Sequence, residues 1–210
     1  MQAALYNDTC SFSWFMESPT ANSGTDTEDG QLARAAARGD DDAFARLVRR
    51  HERAIFGLCY RLLGNSDDAR DAAQEAFVRA YGSLERYDGA QPFAPWALRI
   101  ARNHCIDLLR RRAPTVSLDA PIGDSDDTAH DVPDGTPRAD EQLDSARTTR
   151  ALEIAIAALP ENYRSAVTLF HVQGLAYKDI AQVMNVPIGT VMTWLHRARA
   201  QLREQLGEDA

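Results

Sequence analysis

The sequence predicts an all-α protein, two small helical domains joined by a flexible acidic linker. Apolar residues recur at helical spacing in two blocks, 31–112 and 145–210. Between them, 113–144 interleaves aspartate with Pro114, Pro121, Gly123, Pro133, Gly135 and Pro137, too polar a composition to offset the entropy of ordering. The charge follows the same division. The chain has 210 residues, 23 Lys and Arg against 31 Asp and Glu, a net charge of -8, and 44% hydrophobic residues. Taken whole, that charge argues against a nucleic-acid binder. Its distribution argues the other way. Residues 1–30 carry five acids and no base, and 113–144 carries nine acids with Arg138 as its one base. Gln31–Arg112 holds 15 bases to 11 acids, and Ser145–Ala210 seven to six. The expected organisation is a disordered acidic tail over 1–30, a helical domain over 31–112, the linker over 113–144 and a second helical domain over 145–210.

Other classes fall away quickly. No run approaches the roughly 18 apolar residues of a membrane span, so no membrane insertion is expected. Met1–Gly30 lacks both a basic start and an apolar core, which makes the cytoplasm the default compartment. Cys10, Cys59 and Cys105 are odd in number and widely spaced, unlike a disulfide framework. His51, Cys59, His104 and Cys105 lack metal-ligand spacing, so no metal, cofactor or catalytic group is expected, and the two cysteines read as small core residues.

In the first domain, Asp40–Gly64 carries Phe44, Leu47, Val48, Ile55, Leu58, Cys59, Leu62 and Leu63 at helical spacing, with Arg46, Arg49, Arg50 and Arg53 on the other side. Ser66 is the expected N-cap of a second helix, with Asp67 and Asp68 in its first turn. That helix buries Ala69, Ala72, Ala73, Ala76, Phe77 and Ala80. Its other face carries Asp68, Asp71, Gln74, Glu75 and Arg79, either a solvated face or a docking surface. The loop Glu85–Phe93 follows, with aromatics flanking Gly89 and Pro92. A third helix, Pro95–Arg112, has Trp96, Ala97, Ile100, Ala101, His104, Leu108 and Leu109 as its apolar stripe and Arg99, Arg102 and Asn103 on a neighbouring face. Its terminal Arg110–Arg112 complements the helix dipole or meets phosphate.

The run Asp67 to Phe77, followed by Trp96 to Asn103 and Asp107 to Arg111, resembles region 2 of the sigma-70 family, in particular its small extracytoplasmic-function group. The resemblance implies that Asp71, Gln74, Glu75 and Phe77 bind core RNA polymerase, at the clamp helices of its largest subunit. It implies that Tyr87, Phe93, Arg99, Arg102, Asn103 and Arg110 open and read the -10 promoter element. The chemistry suits those types. A flipped base needs an aromatic wall and an amide to pair with its edge, and arginines hold the flanking phosphates. Trp96 lies on the apolar stripe and reads as core.

In the second domain, Ala151–Leu159 and Glu161–Val172 are apolar helices broken at Pro160. Gly174 marks a turn, and Tyr177–Met184, Asn185–Val186–Pro187 and the helix from Ile188 form a helix-turn-helix with Ile180, Ala181, Val183, Val191 and Leu195 inward. Ala158 to Arg164, Ile180–Ala181 and Gly189 to Arg199 resemble region 4 of the same family. This implies contact with the polymerase beta flap and reading of the -35 element by Thr190, Met192, Thr193, Trp194, His196, Arg197 and Arg199. Family members commonly carry basic and serine residues after the Gly-Thr-Val, where this chain has Met192, Thr193 and Trp194. These cannot donate the bidentate pair that reads guanine, although methionine and tryptophan can touch thymine methyls.

The function expected is that of a sigma factor, with core RNA polymerase and promoter DNA as partners and an anti-sigma factor as a further one. A helix-turn-helix regulator that binds an operator as a dimer and ignores polymerase would account for the second domain and leave the polar face around Gln74 without a purpose.

Overall fold

The computed structural model describes residues 23–89, 91–112 and 150–206; the expectations for residues 1–22 and for the linker over 113–144 lie outside them. Among these residues every regular element is helical. In chain order they are α1 (Ser23–Ala37), α2 (Asp41–Leu63), α3 (Ser66–Tyr81), a 3-10 turn (Leu84–Arg86), α4 (Phe93–Arg112), α5 over 150–158, and α6 (Glu161–Val167). α6 runs into a π-helical turn (Thr168–Val172), and α7 (Tyr177–Met184) and α8 (Ile188–Leu206) complete the chain.

α2 begins where the Asp40 carboxylate accepts from the Ala43 amide at 2.9 Å and stops at Gly64, whose φ of 74° places it in the left-handed region. α3 is capped one residue earlier than expected. The Asn65 side chain accepts from the amides of Asp67 and Asp68, so Ser66 is the first helical residue rather than the cap. Asn65 reaches two orphan donors with one oxygen, and nothing is left for Ser66 to cap.

α1 is a correction to the expected boundary at residue 30. The helix opens at Ser23, and Asp29, expected in a solvated tail, is 1% exposed. Its carboxylate accepts from Arg50 Nη1 at 2.5 Å and pairs with His51 Nε2 at 2.7 Å, while Glu28 takes the other Arg50 nitrogen at 2.9 Å. A buried carboxylate stripped of such partners costs on the order of 3 kcal/mol, so the bases on α2 are the condition for α1 to dock. Leu32, Ala33 and Ala36 complete the contact.

α1–α4 close around Leu47, Ile55, Leu58, Leu62, Phe93 and Leu98, each at most 2% exposed. The buried stripe of α4 is wider than its apolar periodicity indicates. Leu98, Arg102, Cys105 and Ile106 join Ala97, Ala101 and His104 inside, while Leu108 and Leu109 are only half-buried. α4 is covered from two sides, by its own domain and by α7.

The second domain packs α6, α7 and α8 about Leu169, Ile180, Val183, Val191 and Leu195. Asn185, at φ 54°, ends α7 in the left-handed conformation, and the Val186 amide donates to Ala181 O at 3.0 Å, closing the tight turn of the helix-turn-helix. This domain also sits on the first. Arg164 donates to Leu62 O at 3.1 Å, using a carbonyl of the last turn of α2 that has no intrahelical partner. Gln173 donates to Ala54 O at 2.9 Å, and Arg102 reaches Glu161 and Asn162, each at 3.4 Å. The buried cores of the two domains are continuous.

Candidate docking groove and nucleic-acid interfaces

A concavity of about 1310 Å³ lies between α2 and α3 as an open groove. Phe44, Val48, Phe56, Phe77, Val78 and Tyr81 form its apolar walls, and Arg49, Arg53, Arg70 and Glu52 stand among its lining. Val78 is 59% exposed and Tyr81 42%, large apolar groups that the fold leaves uncovered. An apolar trough edged by charge is the form in which an amphipathic helix is received.

The four residues singled out on α3 divide around this groove. Gln74 and Phe77 line it; Asp71 is exposed but does not. Glu75 is engaged within its own helix, accepting from Arg79 Nε at 2.7 Å, a pairing that lowers its carboxyl pKa. Asp68 is taken by a different element: both its oxygens accept from Arg112 at the end of α4, at 2.5 and 2.7 Å, which lowers the Asp68 pKa and removes Arg112 from the row of terminal arginines. Sequence reasoning missed Phe44, Val48, Phe56, Val78 and Tyr81 as site residues. The spacing of Phe44 and Val48 matches the core stripe, and only the crossing of α3 over α2 leaves them lining a groove.

Between the 3-10 turn and α4 an aromatic cluster forms. Tyr87, Phe93 and Trp96 have ring centroids 4.9–5.7 Å apart, and the Tyr87 hydroxyl donates to Gln91 O. Phe93 is fully buried, so it supports the cluster rather than lining a surface; Tyr87 and Trp96 are half-buried, each with one side outward. Trp96, Arg99, Asn103 and Arg110 follow at spacings of three, four and seven residues, one stripe of α4 leading away from the cluster. Arg99, Asn103 and Arg110 are exposed.

Arg102 departs from its expected place. It is 8% exposed, turned beneath the second domain toward Glu161 and Asn162, and burial lowers its pKa against the pull of Glu161. A guanidinium so placed is not presented to phosphate in this arrangement of the two domains.

On α8, burial of Val191, Leu195 and Ala198 sets the orientation of the helix. Met192, Thr193, His196 and Arg197 then share the exposed face with Ile188 and Gly189, while Thr190 is half-buried. Met192 is 53% exposed and Ile188 49%, and the Thr193 hydroxyl donates to Gly189 O at 2.9 Å. Trp194 and Arg199 are half-buried on the other side. Trp194 packs against the core, and burial lowers the Arg199 pKa while the nearby Tyr177 raises it. The expected -35 set therefore separates into four outward residues, Met192, Thr193, His196 and Arg197, and three half-buried ones, Thr190, Trp194 and Arg199.

Residues 47–115 match the Sigma-70 region 2 family and residues 149–202 the Sigma-70, region 4 family. The chain is 38% identical over 172 residues to the ECF RNA polymerase sigma factor SigW of Bacillus subtilis (strain 168), covering 80% of this chain and 91% of that one. It is 35% identical over 188 residues to the RNA polymerase sigma-H factor of Pseudomonas aeruginosa, covering 87% and 95%. Among solved structures it is similar to CnrH in complex with the cytosolic domain of CnrY, with a TM-score of 0.63, 27% identity, and coverage of 87% of this chain and 99% of that one.

Proposed function

The chain belongs to the extracytoplasmic-function group of the sigma-70 RNA polymerase sigma factors, and we propose which of its surfaces carry the work of that family. It is a regulatory factor that directs RNA polymerase to promoters. In our reading the α2–α3 groove receives the clamp helices of the largest polymerase subunit, with Gln74, Phe77 and Val78 as the central contacts and Asp71 at the margin. Glu75, already paired with Arg79, orders the α3 surface rather than reaching the partner.

The aromatic cluster and the α4 stripe take the -10 element. Tyr87 supplies a wall for an unstacked base, Asn103 pairs with a base edge, and Arg99 and Arg110 meet phosphates. The outward face of α8 takes the -35 element in the major groove, and the second domain also meets the beta flap. The single observation that supports the reading best is the groove, wide, apolar and uncovered by either domain, on the helices that the region 2 match spans. An anti-sigma factor is the proposed restraint on activity, a partner protein bound to the factor as the cytosolic domain of CnrY is bound to CnrH.

The test is retention of core RNA polymerase by the purified factor, followed by run-off transcription. Wild type should do both. Asn103→Ala should keep core binding and lose discrimination among -10 sequences. Failure of wild type to bind core would overturn the assignment and leave an operator-binding regulator.

A further inference from the structure

Residues 23–46 precede the segment that matches region 2, and nothing in that match gives α1 a task. Its contacts do. The backbone of α1 comes so close to the reading loop that a Cβ added to Gly30 would stand 3.0 Å from Gly89 O. A Cβ on Gly89 would stand 2.8 Å from Arg34 Nη1, and Arg34 donates to Gly89 O at 3.5 Å. Glycine inside a helix is unfavourable, so close approach to the loop is a physical reason for Gly30 to stand there. A second line of contact starts one residue earlier. Asp29, 1% exposed, holds His51 Nε2 at 2.7 Å, the His51 ring lies 5.2 Å from Phe93, and Phe93 carries Tyr87 and Trp96 at 5.7 and 5.4 Å.

We propose that α1 is a positioning element for promoter reading: Gly30 and Arg34 set the height of the loop at Gly89, and Asp29, acting through His51, seats Phe93 beneath Tyr87. This deepens the reading above and rests on it, since the loop matters to DNA only if Tyr87 and Asn103 form the -10 base pocket. None of the three α1 residues touches a base. Their effect is on where the pocket stands, and an error well under 1 Å in a supporting group is enough to weaken a site of this kind.

The experiment uses holoenzyme reconstituted from core RNA polymerase and the full chain, measuring affinity for a single-stranded oligonucleotide carrying the -10 element, with core affinity measured by competition. Gly30→Ala introduces a good helix former and leaves α1 intact while pressing on the loop. Arg34 is exposed, so Arg34→Ala leaves the core untouched. Each variant should weaken oligonucleotide binding about tenfold, the equivalent of one good contact, with core affinity unchanged. Arg34→Lys, which keeps the positive charge and a donor on a long side chain, should restore part of it. Unchanged oligonucleotide affinity in Gly30→Ala and Arg34→Ala, beside a loss in Tyr87→Ala, would overturn the role of α1 alone. No loss in any of the three overturns the base pocket and the inference with it. Equal losses of core and oligonucleotide binding would mark α1 as merely structural and also overturn it.

Discussion

His104 shows at the scale of one residue how position decides chemistry. It lies buried on α4, and burial lowers its pKa from the ordinary 6.5; the Arg79 guanidinium lowers it further, against Glu75 and Asp107, and Arg111 adds a smaller push downward. The folded protein therefore resists the proton that the unfolded chain accepts. As pH falls through 6.5 the unfolded chain charges first, so stability is full above that value and declines below it. Thermal unfolding between about pH 7.5 and pH 5.5 should show a falling midpoint, and His104→Gln should reduce the slope. Part of the slope remains, because burial also lowers the pKa of His171. Asp68 and Glu75 contribute nothing in this window; their pKa values are lowered from carboxylate values, and the stability they bring is lost only in stronger acid. A pH-independent midpoint would remove this account of His104. Apolar spacing placed His104 inside, but nothing in it placed Arg79 beside the ring.

At the scale of elements, α2, α3 and the helix-turn-helix were legible because periodicity, caps and punctuating residues agree there. Asp40, Gly64 and Asn185 mark their ends in the sequence as in the structure, and the cap of α3 falls at Asn65, one residue before the Ser66 expected. α1 was not legible. Its docking face is Leu32, Ala33 and Ala36, a weak stripe, and the residue that anchors it is an aspartate whose partners Arg50 and His51 lie more than 20 positions away. The groove was half legible. Gln74 could be found from the density of polar groups on α3 and Phe77 from the family resemblance, but the exposed valine could not, since a single valine at a surface position carries no signal until a neighbouring helix forms the other wall. Val78→Asp places a charge in the centre of the groove at a residue 59% exposed, so the fold should tolerate it. It should weaken core polymerase binding by about tenfold or more, as loss of a central apolar contact does. Competition for core against wild type, beside a melting curve, measures this. Full core affinity with an unchanged melting point would move the docking surface elsewhere.

For the molecule as a whole, the two domains meet through polar contacts at the edge of a shared apolar core. Gln173 to Ala54, Arg164 to Leu62 and Arg102 to Glu161 span more than 50 residues of sequence each. A net hydrogen bond is worth about 1 kcal/mol, so removing two should change the ratio of closed to open forms by roughly thirtyfold. Gln173→Ala with Glu161→Arg, which sets like charges against each other at Arg102, should increase the radius of gyration of the full chain in small-angle scattering. An unchanged radius would mean that apolar contact alone holds the domains. The closed form withholds Arg102 and leaves the α2–α3 groove open, so the surfaces proposed for polymerase and for DNA are not equally available.

The sequence by itself determined the helical class, the helix-turn-helix, the two regions of family resemblance and the basic bias of both domains beneath a net charge of -8. Those features are local: spacing, caps and charge counts depend on neighbours within a few positions. Tertiary structure alone decided that Asp29 is inside, that Arg102 faces Glu161, that Phe44 and Val48 line a groove, and that Arg112 belongs to Asp68. Each depends on a residue from another element, and a charge or an apolar side chain acquires its role only from what the folded chain sets opposite it.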